Sequence, residues 1–347
     1  MTHIWIRGEQ RLNEARVGVT PAGVKALIEA GYKITIEHDP ARAISLTEYP
    51  TVDTAPMGSW PSAPHDAVIM GLKELPDDAS PLPHRHIMFG HAYKSQPNGL
   101  HLLNRFLAGG GALYDLEYLT DTANKRVAAF GYWAGYAGAA IALKCWASAK
   151  ARILCSSVSA FADARALKSN VSMELKGAKP RVIIIGANGR VGSGARDLCN
   201  DLGSLVTSWD MAETAHGGPF PEILEHDIFL NCILANHNTP VFVGEDAKTV
   251  QRNLTVIGDI ACDPDSYYSP IKVYDRSTSW SVPALRVHSD PILDVTAIDN
   301  LPSILPRESS EDFAAQLLPS LLKLDDIENG VWGKARRIFD SYALGLD

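Results

Sequence analysis

The sequence predicts an α/β protein with two domains, each built around a doubly wound parallel sheet. Short apolar runs alternate with helix-compatible segments along most of the chain, which is the pattern of a parallel sheet covered by helices. One strand–turn–helix–strand unit near the middle contains three evenly spaced glycines, and a similar unit at the N-terminus lacks them. The chain of 347 residues is long enough for two domains of roughly 100–200 residues each.

The N-terminal segment predicts a strand–helix–strand unit. Residues Ile4–Arg7 form a short strand, and Thr20 precedes a helix over Pro21 to about Ala30. Threonine is a good N-cap and proline suits the first helical position, so this helix start is well marked. Gly31 ends the helix, and residues 33–37 form the next strand.

Two further strands are each followed by a titratable side chain. Ala67–Leu72 leads directly into Lys73, and Ile87–Gly90 leads into His91. Ligands of open α/β sheets bind outside the carboxyl ends of the strands. Lys73 is therefore a candidate base and His91 a candidate for proton transfer, with an ordinary surface lysine as the alternative. Arg16, ahead of the first helix, is either a solvated loop residue or a ligand for a substrate carboxylate.

The chain then crosses into the second domain. Asn98 is a candidate N-cap for a helix to about Ala108, and residues 112–118 form a strand. Residues 132–150 form a long helix rich in glycine and alanine, which indicates a closely packed, buried element. Residues 151–179 contain one more helix and a linker.

The central unit, Arg181 to Asp210, has the features of a dinucleotide site. A β-branched strand leads into Gly186, Gly189 and Gly192, and a second strand ends in Asp210. These glycines allow a tight turn, backbone approach to a pyrophosphate and close helix–strand packing. Asp210 is placed to accept hydrogen bonds from a ribose and to repel a 2′-phosphate, which favours NAD over NADP. Arg190 is expected to contact the pyrophosphate or solvent rather than a 2′-phosphate.

The remaining segments continue the alternation. Residues 211–220 form a loop, Asp227–Ile233 a strand that contains Cys232, residues 248–253 the end of a helix, and Leu254–Asp259 another strand. Two C-terminal helices, over 308–322 and 333–344, have no strand after them. We expect them to pack on the first domain, which then comprises residues 1–129 and 304–347, with residues 130–303 forming the nucleotide-binding domain.

Composition excludes several classes of function. The formal net charge of −8 argues against a nucleic-acid surface. Five widely spaced cysteines suit free thiols in a reducing compartment. The N-terminus lacks the apolar core of a signal peptide, and the most membrane-like stretch, 131–149, contains Lys144. His84 and His86 lack further ligands nearby, so no metal site is expected. A cytoplasmic protein without nucleic-acid or membrane partners is indicated.

Nine segments, in order along the chain, carry a family resemblance: EARVGVTP, GLKELP, FGHAYK, LYDLEYL, KRVAAFG, AGYAGAA, WDMAETAHGGPF, FLNCI and AIDNLPSILPRES. Together they resemble the NAD-dependent, L-lysine-forming saccharopine dehydrogenases, within the superfamily of alanine dehydrogenase and nicotinamide nucleotide transhydrogenase. The resemblance covers essentially the whole chain. It implies two Rossmann-like domains with the active site in the cleft between them, and NAD-dependent oxidation of saccharopine to L-lysine and 2-oxoglutarate.

The resemblance also implies roles for individual residues. Lys73 acts as the base toward the substrate amine, and His91 acts in proton transfer with the imine-derived intermediates. Lys125 and Leu234 depart from the family pattern, in which an arginine and an aromatic residue are expected. Implied substrate contacts are Arg16, Lys94, Gln96, Arg126, Phe130, Ala261, Cys262 and Asp263. Implied NAD contacts are Lys125, Gly186, Gly189, Arg190, Gly192, Asp210, Thr214, Leu234, Ile260, Ile298, Asp299, Asn300 and Leu301.

Two other functions stay open at this point. A different NAD-dependent amino-acid dehydrogenase of the superfamily, of the alanine dehydrogenase or opine type, would share Lys73, His91 and the NAD site. A non-catalytic NAD-binding regulatory protein would need neither side chain. The expected partners are small molecules, namely saccharopine, lysine and 2-oxoglutarate, and a monomer is the working expectation for the assembly state.

Overall fold

The computed structural model of the protein describes residues 1–93, 97–264, 266–343 and 345. The chain divides into two compact units. The first unit comprises Met1–Ala129 and Pro306–Asp347, and the second comprises Phe130–Leu305. Each unit contains a six-stranded sheet dominated by parallel pairs, so the predicted α/β fold class is confirmed.

The strands and helices follow one another in the alternation that the sequence predicts. In chain order, the strands are β1 (His3–Ile6), β2 (Lys33–Glu37), β3 (Asp53–Ala55), β4 (Val68–Met70), β5 (Arg85–Met88), β6 (Ala112–Asp115), β7 (Arg181–Ile185), β8 (Leu205–Trp209), β9 (Ile228–Asn231), β10 (Val256–Asp259), β11 (Leu285–Ser289) and β12 (Ile292–Thr296). The helices are α1 (Pro21–Glu29), α2 (Pro97–Gly109), α3 (Gly131–Lys150), α4 (Ala164–Leu175), α5 (Arg190–Asp201), α6 (Met211–Thr214), α7 (Pro221–Leu224), α8 (Pro306–Leu321) and α9 (Gly330–Ala343).

The sheet of the first unit is parallel throughout, with strand order β3-β2-β1-β4-β5-β6. Met70 of β4 pairs with Ile87 of β5, and Met88 of β5 pairs with Asp115 of β6. The carboxyl ends of these three strands therefore lie side by side at one edge of the sheet. Lys73 and His91 follow neighbouring strands, as the sequence predicts.

Helices α8 and α9 pack within the first unit, where α8 contacts α1 and α9 contacts α2 and β6. The indole of Trp332 in α9 is buried and donates to the carbonyl of Ser320 at 2.8 Å. Phe339 of α9 meets Phe106 of α2 edge to face, with ring centroids 5.7 Å apart. This contact buries both rings and packs α9 against α2 in the core of the first unit.

The sheet of the second unit has the order β11-β12-β10-β9-β7-β8. Its pairs are parallel except that β11 runs antiparallel to β12. Helix α3 packs closely against α5. A Cβ on Gly135 would lie only 1.8 Å from the carbonyl oxygen of Val191, so this contact requires glycine. Within the described chain, no helix is both long enough and apolar enough to cross a membrane.

The structure confirms one predicted helix cap and corrects three other assignments made from the sequence. The Thr20 cap is confirmed, with its hydroxyl accepting from the Gly23 N–H at 3.4 Å. Asn98 is not a cap, because α2 already begins at Pro97. The first four residues after Asp210 form a short capped helix, α6, and only residues 215–220 of the predicted loop are non-helical. Cys232 lies just beyond β9 rather than inside it.

Two regions were misassigned because tertiary contacts decide their conformation. Residues 249–253 are not helical. The helical conformation before β10 is limited to the 3₁₀ turn Glu245–Lys248. The Arg252 guanidinium instead donates to five backbone carbonyls, those of Ala247, Lys248, Leu254, Pro291 and Ile292. The hairpin of β11 and β12 was not predicted, because its polar, half-buried β11 lacks a strong apolar pattern.

Candidate active site

Lys73 follows β4 and is held through its backbone by a buried acid. The N–H groups of Leu72 and Lys73 donate to the two carboxylate oxygens of Glu9, at 2.6 and 3.0 Å. The Arg7 guanidinium donates to the Lys73 carbonyl oxygen and pairs with Glu9 at 3.3 Å. Burial raises the pKa of the Glu9 carboxyl, while the Arg7 charge opposes that rise. The half-buried Lys73 side chain thus starts from a rigid backbone.

His91 occupies an unusual backbone conformation for a residue other than glycine. Its φ is +50°, in the left-handed region, which costs free energy and is enriched at functional sites. His91 Nδ1 lies 3.5 Å from Oε2 of Glu117, and Arg126 Nη2 donates to Oε1 of the same carboxylate at 2.8 Å. One half-buried carboxylate therefore faces both an imidazole and a guanidinium. The sequence points to His91 and Arg126 as site residues, whereas no motif marks Glu117.

Asp115, at the end of β6, connects the segments that carry His91 and Glu117. It is 1% exposed. Its Oδ2 accepts the Gly90 N–H at 3.2 Å, and its Oδ1 accepts the Glu117 N–H at 2.8 Å. Burial raises the pKa of this carboxyl to about 6, with a further contribution from the Glu117 charge. The sequence predicts a strand over residues 112–118, with Asp115 inside it, so no sequence pattern marks Asp115 as a strand-end acid.

Arg16 forms a buried ion pair with Glu14. Its Nε donates to Glu14 Oε1 at 2.8 Å and its Nη2 donates to Oε2 at 2.6 Å. Burial alone would raise the pKa of Glu14, but the Arg16 charge and hydrogen bonds lower it, and Lys73 adds to that effect. Arg16 and Glu14 therefore belong to the electrostatic surroundings of Lys73. Lys94 and Gln96, the other implied substrate contacts of this unit, lie outside the described residues.

The glycine-rich turn of the second unit has the geometry that a dinucleotide needs. Gly186 has φ +85°, which favours glycine. A Cβ on Gly192 would lie 2.1 Å from the Gly186 carbonyl oxygen, so only glycine permits this helix–turn contact. Gly189 is the N-cap residue of α5 and, among the described residues, no side chain caps this helix end. Its first-turn N–H groups and dipole therefore suit a pyrophosphate.

Asp210 connects β8 to the glycine-rich turn. Its Oδ2 accepts the Asn188 N–H at 3.0 Å, and its Oδ1 accepts the Met211 N–H at 2.9 Å. The Thr214 hydroxyl donates to the Asp210 carbonyl oxygen at 3.0 Å. The carboxylate also accepts the Glu213 N–H in a capping box. Because a carboxylate offers about four acceptor positions, about one position remains for a ribose hydroxyl. These residues fit the ribose and pyrophosphate of NAD.

A cavity of about 660 Å³ adjoins this turn. Its volume lies within the usual range of small-molecule and cofactor sites, about 300–1,000 Å³. Five of the implied NAD contacts line it, namely Gly186, Gly189, Asp210, Thr214 and Leu234. Lining residues that the sequence analysis missed include Met211, Asn236, Thr239, Pro240 and Phe242. They lie on α6 and in the irregular segment after β9, where no motif marks them.

The other implied residues of the second unit do not line this cavity. Ile260, Ile298 and Leu301 are buried in the hydrophobic core that includes α3. Asn300 is the cap of the 3₁₀ turn Leu301–Ile304, and Asp299 beside it is exposed. Phe130 is the N-cap residue of α3, Arg190 begins α5, and both Ala261 and Asp263 follow β10.

Two further implied residues have well-defined backbone surroundings. Lys125, in the first unit, lies in an exposed turn whose backbone bonds to Asp121. Cys262 follows β10 with φ +50°, and its thiol donates to the Ala297 carbonyl oxygen at 3.1 Å. Within the described residues, no group of three histidine, cysteine or acidic side chains could hold a metal ion.

Known proteins show similarity along the whole chain. The family model of the alanine dehydrogenase/PNT N-terminal domain matches residues 5–137. The NAD⁺-dependent, L-lysine-forming saccharopine dehydrogenase of Schizosaccharomyces pombe is 42% identical, with 99% of each chain covered. That of Emericella nidulans is 44% identical and covers 99% of this chain and 98% of its own. A solved L-alanine dehydrogenase, 16% identical, shares the fold, with a TM-score of 0.68 and 94% and 90% of the two chains covered.

Proposed function

The chain belongs to the family of NAD⁺-dependent, L-lysine-forming saccharopine dehydrogenases, and from this premise we propose that it oxidises saccharopine reversibly to L-lysine and 2-oxoglutarate with NAD⁺. The observation that carries the proposal is identity of 42% with a curated member over 99% of both chains. The strand-end groups described above supply the acids, bases and cations that this reaction requires. The substrate and every residue role below are part of the proposal.

Lys73 is the proposed base toward the secondary amine of saccharopine. A carbon–nitrogen bond is oxidised most readily when the nitrogen carries a free electron pair, so a base must first remove the ammonium proton. Lys73 lies at the carboxyl end of β4, where the Glu9 contacts fix its backbone. When bound, NAD⁺ supplies the acceptor for the hydride. The protein contributes position, charge and proton transfer.

His91 is the proposed acid–base group for hydrolysis of the imine. Water must lose a proton as it adds to the imine carbon, and the departing amine must gain one as the carbon–nitrogen bond breaks. A histidine can do both near neutral pH. The Glu117 carboxylate lies beside the ring, with its Oε2 3.5 Å from Nδ1, and places a negative charge next to the proposed acid–base group. The 2-oxoglutarate carbonyl and the lysine amine are then released.

The substrate carries three carboxylates, which calls for cations near the reacting carbon. Arg126 is the better exposed candidate, with its side chain 42% exposed while it pairs with Glu117. Arg16 is 3% exposed and already donates twice to Glu14. We therefore propose Arg126 as the principal carboxylate ligand among the described residues. Arg16 contributes positive charge from a fixed position.

The test is oxidation of NADH followed by absorbance, with L-lysine plus 2-oxoglutarate in one assay and ammonia plus pyruvate in the other. Consumption with the first pair alone supports the proposal. Consumption with the second pair alone would keep the NAD site but replace the substrate by that of an alanine dehydrogenase. Activity with neither pair would reject the proposed function. The cytoplasmic location, the monomeric state, the division of roles between the units and the inter-domain active site stay predictions.

A further inference from the structure

A buried hydrogen-bond network lies at the carboxyl ends of β9 and β10. Asp259, the last residue of β10, is 2% exposed. Its Oδ1 accepts from the amide of Asn231 at 2.9 Å, and its Oδ2 accepts from the hydroxyl of Tyr274 at 2.5 Å. Asn231 is the last residue of β9 and fully buried, and Tyr274 is 8% exposed. A buried carboxylate costs free energy unless it is hydrogen-bonded, so loss of either hydrogen bond should destabilise this part of the fold.

The same carboxylate also organises the backbone that follows β10. The backbone N–H groups of Ala261 and Cys262 face the Asp259 carboxylate and stabilise its charged form. Burial raises the pKa of Asp259, whereas Tyr274, Asn231 and these backbone bonds oppose the rise. Four donors thus converge on one side chain. Two come from the core, and two come from the turn that begins at Ile260.

This turn adopts a conformation that needs such support. Cys262 has φ +50°, which is unfavourable for a residue with a side chain. Its thiol donates to the carbonyl oxygen of Ala297 at 3.1 Å. Ala297 directly follows β12, which pairs with β10 in parallel. The contact therefore ties the turn after β10 to the segment after β12, which contains Ile298–Leu301.

We propose that Asp259, held by Tyr274 and Asn231, is a positioning residue that fixes the turn Ile260–Asp263 and, through the Cys262 thiol, the segment after β12. The inference rests on the proposed function, because contacts of these two segments with substrate and NAD are part of that proposal. Asp259 itself does not touch the reactants in this account. It acts by holding the left-handed backbone of Cys262 in place.

The kinetic test uses Tyr274→Phe, which removes one hydroxyl from the network. With L-lysine and NADH saturating, the KM for 2-oxoglutarate should rise about tenfold and kcat should fall, because a hydrogen bond to a charged group shifts a local equilibrium by about this factor. The NADH dissociation constant should rise by a smaller factor than this KM. The cavity beside Gly186, Gly189 and Asp210 is lined by no residue of the network, so only the NAD contacts in the two supported segments are affected. General loss of folding would instead lower kcat without raising KM.

A second readout does not depend on activity. Cys262 is the partly exposed cysteine, whereas Cys145, Cys155, Cys199 and Cys232 are buried. Its alkylation by iodoacetamide, quantified by mass spectrometry, should be about tenfold faster in Tyr274→Phe because the turn opens more often. Asp259→Asn should accelerate labelling further, since a neutral amide cannot accept all four donors. If Asp259→Asn does not fold, the tyrosine variant alone decides.

The matched control is Tyr267→Phe, which removes a hydroxyl from a side chain that is 90% exposed. It should match the wild type in KM, kcat and labelling rate. Equal labelling and equal KM for wild type and Tyr274→Phe would overturn the proposal. A wild-type enzyme inactive toward lysine and 2-oxoglutarate would reject the proposed function instead, and the labelling experiment would then decide the positioning role alone.

Discussion

Replacing Asp115 by asparagine tests whether a buried acid at the end of β6 is ionised at a cost in stability. The side chain is 1% exposed and accepts the N–H groups of Gly90 and Glu117. Asparagine has nearly the same shape and resembles the protonated acid in having no charge. The substitution therefore isolates the free energy of ionisation better than alanine would.

The magnitude follows from the pKa. Burial, with the charge of Glu117, raises the pKa of Asp115 from its ordinary value of 3.8 to about 6. A carboxyl with a raised pKa contributes stability that is fully present below pH 3.8 and is lost as the pH rises through about 6. The full cost of ionisation is then about 3 kcal/mol. Between pH 5 and pH 8 the wild type should lose about 1.4 kcal/mol relative to Asp115→Asn.

The assay is urea unfolding of both proteins at several pH values from 5 to 8, and the quantity compared is the difference in their free energies of unfolding. As the pH rises, the free energy of unfolding of Asp115→Asn should increase relative to that of the wild type. Asp121→Asn is the control, because Asp121 also accepts two backbone N–H groups but lies nearer the surface. A difference for Asp115→Asn that is flat over this range, or that falls with pH, would refute the reasoning.

Four further variants test the other parts of the site and fold. Lys73→Met should lower turnover about 10²–10⁴-fold while the NADH dissociation constant changes less than about twofold. Asp210→Ala should weaken NADH binding about 10–100-fold and reduce the preference over NADPH, because charged hydrogen bonds to the ribose are lost. Arg252→Lys should lower the free energy of unfolding by about 3 kcal/mol, since an ammonium has three donors where the guanidinium uses five. His86→Phe should make the free energy of unfolding depend less on pH in the acid range. Burial, followed by the Arg7 charge, lowers the pKa of His86. The neutral imidazole therefore contributes stability above about pH 6.5, and this contribution is lost below that pH by at most about 1.4 kcal/mol per pH unit.

Each of these variants has a surface counterpart that makes the same chemical change. The counterparts are Lys25→Met, Asp201→Ala, Arg152→Lys and His101→Phe, whose side chains are all substantially exposed. Unimpaired turnover in Lys73→Met would remove that lysine from the mechanism. Unchanged NADH affinity in Asp210→Ala would mean that the ribose is bound elsewhere. An unfolding free energy that does not respond to Arg252→Lys, or equal acid slopes with and without His86, would contradict the corresponding structural account.

The sequence was most informative where local chemistry alone determines the structure. Gly186 needs a positive φ and Gly192 tolerates no Cβ, so the glycine spacing marks the nucleotide turn without knowledge of the rest of the fold. Asp210 follows a strand, which places it at the sheet edge where ligands bind. Thr20 and Pro21 mark a helix start by the same kind of local rule.

It was least informative where partners are distant in the chain. The Arg252 guanidinium forms hydrogen bonds to carbonyls 39 and 40 residues away, and no local pattern announces them. Tyr274 and Asp259 are 15 positions apart in the sequence, and no local pattern relates them. Glu117 became a candidate only when His91 and Arg126 were seen to share its carboxylate. These residues could not be found by periodicity, because their roles depend on the fold rather than on their neighbours.

The two units contain a similar local arrangement, in which a buried aspartate at the end of a strand supports a left-handed residue. In the first, Asp115 ends a strand and accepts the backbone N–H next to His91. In the second, Asp259 ends a strand and faces the backbone N–H of Cys262. Both supported residues have φ +50°. Strand ends leave backbone N–H groups without partners in the sheet, and a buried aspartate can satisfy two of them at once. Burying the carboxylate and holding the left-handed residue both cost free energy, and the hydrogen bonds of the carboxylate offset part of that cost. If this account is correct, substitution of either aspartate should alter the geometry of its left-handed residue before it alters the sheet.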